Sequence, residues 1–230
     1  MFMVLLSSPA LAGGPDFRAA QAAAYAHYRE AAFYTRTENI PVAALALDEF
    51  VSKWSALVHR YADDPPPAYA GDARWKSTLQ EILERAQTGL DALDAGEPEA
   101  AADAIVPIRE MLGDLRHRNK VVSYSDNVDA LTAAMDVLAR YRKDVRDLND
   151  PATVEMIGKQ ADVVETLFEK CRDDAGPEIA DDQEFKRLIS GASDSMAKLR
   201  KSLKTGDLRL FRIGSGELRS YERIMFLRFG

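Results

Sequence analysis

Asp63, Asp64, Pro67, Ala70, Asp72 and Lys76 recur in the same order as Asp173, Asp174, Pro177, Ala180, Asp182 and Lys186, every pair 110 residues apart with no gap. Repetition at a fixed period constrains a fold more than local propensity does, because each copy must close the same supersecondary unit. The offset holds well beyond this segment. Asp16 recurs as Asp126, and Ala20, Ala23 and Ala24 as Ala130, Ala133 and Ala134. Arg36, Asn39 and Pro41 return as Arg146, Asn149 and Pro151, and Gly96, Arg109 and Arg118 as Gly206, Arg219 and Arg228. About 18 of roughly 105 aligned pairs are identical, some 2.5 times what average composition gives by chance. The chain reads as an ungapped tandem duplication.

The repeated unit is helical. The make-up is aliphatic, Ala-rich and charge-rich with little β-branched alternation, and the 47% hydrophobic content of the 230 residues suffices for one or two ordinary cores. Leu47, Val51, Trp54 and Val58 run at intervals of three and four, as do Ile157, Ala161, Val164 and Phe168 at matching positions. Ile105, Ile108, Leu112 and Leu115 continue the pattern, and each row makes one buried stripe. Capping residues and prolines mark the starts: Asp16, Asn39 with Pro41, Asp150 with Pro151, Asp72 and Asp182. Gly96-Glu97-Pro98 and Gly206-Asp207 mark the last turn of each unit. These signals predict helices over 16–37, 40–61, 72–94, 98–119, 126–147, 151–172, 182–204 and 207–228. Short loops make neighbours antiparallel, so the predicted fold is all-α: a tandem duplication of two up-down-up-down four-helix bundles, eight helices in all. The bundles are expected over residues 13–120 and 121–230. Pro107 predicts a kink in the fourth helix, and Gly214 and Gly216 at nearly the same depth of the second unit predict a kink or a close helix approach.

Residues 1–12 look like the remnant of an export signal. Met1 to Leu6 is apolar, and Ser8-Pro9-Ala10-Leu11-Ala12 ends in an Ala-x-Ala site, but the charged front of a signal peptide is missing. The segment is too short to span a bilayer, and a periplasmic location is expected. Cys171 is the sole cysteine; with no partner in the chain, it is expected to be a buried, inert thiol. A net charge of −7 argues against nucleic acid as a partner. The charge is uneven, because the last hairpin is basic. Lys201, Lys204, Arg209, Arg212 and Arg223 are its candidate docking residues for an acidic protein or an anionic surface.

Bundle topology places the starts of helices 1 and 3 beside the ends of helices 2 and 4. That end of the first unit should collect His59, His117, Asp63 and Asp64, with Asp16 and Asp72 nearby, and imidazole with carboxylate suits zinc or copper if the groups converge. Caps and turns explain the same aspartates without a metal. His27 could ligate haem or metal if it faced inward. The arginines shared by both units suit internal ion pairs or an anion site. The sequence contains no Gly-rich phosphate loop, nucleophile elbow, zinc-protease histidine pair or C-x-x-C, so no catalytic residues are assigned.

In length of unit and helical layout the chain resembles the cytochrome c′ and soluble b-type cytochrome class. Where that class carries C-x-x-C-H, this chain has Leu115-Arg116-His117-Arg118-Asn119, so the resemblance implies no covalent haem; non-covalent haem would need a helix-1 methionine opposite His117, and residues 16–25 include none. Tyr34-Thr35-Arg36-Thr37-Glu38-Asn39 and Glu217-Leu218-Arg219-Ser220-Tyr221 also look like a group of exported helical proteins of alphaproteobacteria. That likeness implies no activity. The sequence is therefore expected to encode an exported, non-enzymatic binding protein, with a periplasmic carrier of metal or non-covalent haem as the alternative.

Overall fold

The computed structural model describes residues 15–230, so the export signal expected over 1–12 lies outside the described residues. Every regular element among them is helical: α1 (Pro15–Arg36), α2 (Ile40–Tyr61), a 3-10 turn (Pro67–Tyr69), α3 (Trp75–Asp94), α4 (Pro98–Arg118), α5 (Tyr124–Asp144), α6 (Pro151–Asp173), the short α7 (Pro177–Ala180), α8 (Gln183–Thr205) and α9 (Leu208–Phe229). The chain divides into two compact units between Val122 and Ser123. In the first, α1 and α3 each pack on both α2 and α4; in the second, α5 and α8 each pack on both α6 and α9. Each unit is thus a closed ring of four long helices joined by short connections, the arrangement of an up-down-up-down bundle. The same neighbour order in both units is compatible with duplication.

Local chemistry sets the boundaries. Asp150, Asp182 and Asp207 accept backbone N–H groups of the first turns of α6, α8 and α9. Ser123 and Asp126 form a reciprocal capping box, which starts α5 at Tyr124, two residues before the predicted position. Two expected caps differ. Asn39 sits at the N-cap of α2 without a side-chain cap bond, and Pro41 alone marks that start. Asp72 does not open α3, which begins at Trp75, because its carboxylate is engaged elsewhere. At the far ends, Gly96 and Gly206 adopt φ of 77° and 68° and let the next N–H fold back, Glu97 N–H to Ala92 O at 2.8 Å and Asp207 N–H to Ser202 O at 3.1 Å.

Both cores use the same register. Leu47 and Ile157, Trp54 and Val164, Trp75 and Phe185, Ile108 and Leu218, and Leu115 and Met225 are buried pairs at the 110-residue offset. Volume is redistributed: Val164 stands for Trp54, while Phe211 stands for Ala101. Ile157, Ala161, Val164 and Phe168 are all buried as predicted, as are Ile105, Ile108, Leu112 and Leu115. The α2 stripe is rotated from the prediction, since Phe50 and Leu57 are buried while Val51 and Val58 are half-buried. Phe50 wins that face because it stacks on Trp54, with ring centroids 5.5 Å apart. Helix α4 runs through Pro107, and the carbonyl left without its N–H belongs to exposed Asp103, where water can reach it. In α9 the glycine signal marks close approach: a Cβ on Gly214 would lie 3.0 Å from both Leu199 N and Ser195 O of α8.

One carbonyl is served differently in the two units. Trp75 Nε1 donates to Tyr61 O at 2.7 Å near the end of α2. At the matching position of α6, Cys171 O accepts from Tyr124 Oη at 3.0 Å, and Phe185, the counterpart of Trp75, has no donor to offer. Both satisfy a helix-end carbonyl that lacks an intrahelical partner.

Candidate functional site

The basic end of the second unit is built by a helical turn. Lys201 and Lys204 lie on the last turns of α8, Gly206 reverses the chain, and Asp207 caps α9 by accepting Leu210 N–H at 2.9 Å. Arg209 and Arg212 follow at once on α9. They line an open concavity with Leu208, Ile213, Glu217 and Arg142 of α5. Arg142 is positioned on both sides: its Nε donates to Arg212 O at 3.1 Å, and its guanidinium lies against Gly216, where a Cβ would be 3.3 Å from Nη2. Among the described residues, Arg142, Arg209 and Arg212 make no ion pair, although other cations of this unit do. Arg200 pairs with Asp162 at 2.8 Å and with Glu165, and Lys198 pairs with Glu217 at 2.8 Å. Arg209 also sits in the first turn of α9, at the positive end of its dipole, which disfavours a cation. The result is a concave surface of three guanidinium groups outside any ion pair, lined also by apolar Leu208 and Ile213 and by Glu217, whose carboxylate is taken by Lys198.

Of the five docking residues predicted, the structure brings Arg209 and Arg212 into this concavity and leaves Lys201 and Lys204 exposed on the adjoining turn. Arg223 lies farther along α9, outside the lining. Arg142 was not predicted. It sits on another helix of the bundle, and the only sequence signal available was its place near the end of α5, which topology sets beside the start of α9.

The carboxylates expected at the other end of the first unit are mostly engaged in ion pairs. Asp16 pairs with Arg60 at 3.3 Å and Asp63 with Lys76 at 2.6 Å. His59, His117 and Asp64 are exposed. Among the described residues, no three His, Cys, Asp or Glu side chains group so that they could hold a metal ion. His27 lies 3.7 Å from Glu30 on the same helix. Haem does not fit the first unit's residues, because Phe17, Tyr28, Phe50 and Trp54 fill its interior while His117 stands on an exposed turn. Cys171 is fully buried and its thiol is pushed up to about 12, by burial first and then by the Asp174 carboxylate, so it is not a nucleophile at neutral pH.

Asp72 is the best-organised group of that end. Its side chain is 5% exposed, and it accepts from Arg118 Nε at 2.7 Å, Asn119 Nδ2 at 2.8 Å and the Arg74 N–H at 3.0 Å. Burial alone would raise its pKa, but the hydrogen bonds from Asn119, Arg118 and Arg74 outweigh it and hold the carboxyl below its ordinary range. A depressed folded-state pKa gives stability that is present above the unfolded-state value and lost as pH falls through the folded-state value. Asp72→Asn is therefore expected to lower stability at neutral pH by on the order of 1.5 to 3 kcal/mol. The gap to wild type should close below the usual aspartate range; urea unfolding from pH 7 to acid measures it.

Compared with known proteins, the chain matches no family model, no curated protein and no solved structure. No helix among the described residues is long and apolar enough to cross a membrane.

Proposed function

We propose that this chain is an exported, non-enzymatic helical-bundle protein that works by binding, and that its binding face is the basic end of the second bundle. One observation carries this: Arg142, Arg209 and Arg212 share a concavity without an ion pair of their own, because the carboxylate in its lining, Glu217, is held by Lys198. Such an arrangement is disfavoured in isolation and relieved by an external anion. Guanidinium groups accept carboxylates in a bidentate fork, and Leu208 and Ile213 offer apolar contact between them, so the partner is an acidic protein segment. Export rests on the apolar run and Ala-x-Ala site of residues 1–12.

Titration calorimetry with polyglutamate at low ionic strength tests the face. Wild type should bind, binding should weaken as salt is added, and the Arg142→Glu/Arg209→Glu/Arg212→Glu variant should not bind. Failure of wild type to bind would overturn the reading, and binding to anionic vesicles in its place would move the face to a lipid surface. A stoichiometric metal or a Soret band in protein from the native host would favour a carrier instead.

A further inference from the structure

The two bundles carry opposite charges at equivalent places. Glu30, Asp91, Asp94 and Glu99 of the first stand, at the 110-residue offset, where the second has Arg140, Lys201, Lys204 and Arg209. Residues 91–103, the α3–α4 turn and its flanks, hold five carboxylates and no Lys or Arg; residues 201–213, the α8–α9 turn, hold four cations and one carboxylate. These eight residues are exposed, whereas the other inverted pairs, Glu49 with Lys159 and Arg74 with Glu184, lie away from the two turns. Asp91, Asp94 and Glu99 make no ion pair among the described residues, and neither do Lys201, Lys204 and Arg209; Glu30 only approaches His27. Both turns are built by the same device, a positive-φ glycine followed by an acidic residue at the start of the next helix, Gly96-Glu97 and Gly206-Asp207. Their backbones therefore present charges at matching positions with reversed sign.

We infer that the chain associates with itself head to tail, the basic α8–α9 end of one copy seating on the acidic α3–α4 end of another. This rests on the binding face proposed above and names its partner as a second copy. Inversion at equivalent positions gives like-spaced opposite charges, so the contact is attractive, whereas two basic ends or two acidic ends repel each other. Each copy carries one face of each sign, so a single contact is heterologous and extends to rings or larger species, whereas two reciprocal contacts close a two-fold dimer.

Sedimentation velocity of the full chain tests this across protein concentrations at low and high ionic strength. Wild type should form a larger species at low ionic strength that reverts to monomer when salt is added, a readout that needs no variant. Lys201→Asp/Lys204→Asp/Arg209→Glu and, separately, Asp91→Lys/Asp94→Lys/Glu99→Lys should each lose the larger species. Mixed together they should regain one, because the doubly acidic and the doubly basic chain complement each other. Circular dichroism checks that both variants keep the helical signal. A wild type that stays monomeric while still binding polyglutamate would overturn self-association and leave the binding face standing. One that is monomeric and binds no polyglutamate would overturn both. Association unchanged by either charge reversal would also overturn the inference.

Discussion

Replacing Arg219 by Met is expected to destabilise the protein by about 3 to 5 kcal/mol, the cost of leaving a buried charge without its partner. That charge is Glu222, whose side chain is 2% exposed inside the second bundle. Its carboxylate accepts from Arg219 Nη1 at 3.1 Å and from the Thr132 hydroxyl, and Arg219 reaches on to Asp136. The first bundle shows that the ion pair is not required by the fold. Leu112 occupies the position of Glu222 there, buried at 1% exposure, and Ala26 occupies that of Asp136. Hence the double replacement Arg219→Met/Glu222→Leu should recover most of the loss, because a well-packed apolar pair of similar volume is often neutral or better. Urea denaturation of the two single variants and the double variant gives the coupling directly. A single Arg219→Met variant as stable as wild type would mean that water reaches Glu222.

Trp54→Ala should have an effect of the same size in the first bundle, about 3 to 5 kcal/mol. The indole is fully buried, stacks on Phe50 and donates Nε1–H to Leu79 O at 2.9 Å, tying α2 to α3. Truncation removes the ring's packing and leaves a cavity that the rigid neighbours only partly fill. The second bundle tolerates Val164 at this position because its other core residues differ, Phe211 replacing Ala101 among them. Trp54→Val in the first bundle lacks those changes, so it should remain strongly destabilising. Denaturant midpoints for both variants, compared with an exposed control such as Ser55→Ala, test the assignment.

Periodicity and punctuation made most of the fold legible. Proline at the start of α2, α4 and α6 and glycine after α3 and α8 act locally, so those boundaries can be read from neighbouring residues. Asp72 and the α2 stripe were misread because their roles are set by distant partners. Arg118 and Asn119, more than forty positions away in sequence, draw Asp72 off its cap, and stacking of Phe50 on Trp54 turns the α2 face. For the candidate site, the basic character of the last hairpin was visible as composition. Its geometry was not, since Arg142 comes from another helix and the pairing of Glu217 with Lys198, which leaves the three guanidinium groups without an ion pair, is a three-dimensional fact. At the acidic end, local composition was a poor guide for the opposite reason: Arg60 and Lys76 already pair with the aspartates that the sequence offered as metal ligands.

The carbonyl at the end of the second helix of each bundle limits how the two halves can exchange parts. Its donor comes from the third helix in one unit, through Trp75, and from the first helix in the other, through Tyr124. Exchange of helices between the two units is therefore asymmetric. A bundle combining a first helix without Tyr124 and a third helix with Phe185 in place of Trp75 would inherit neither donor. The reciprocal combination inherits both, and the two lone pairs of the carbonyl oxygen can accept both. Exchange of helices would thus be tolerated in one direction and leave a helix-end carbonyl unserved in the other, so the two units are not interchangeable part by part although they share a helix plan.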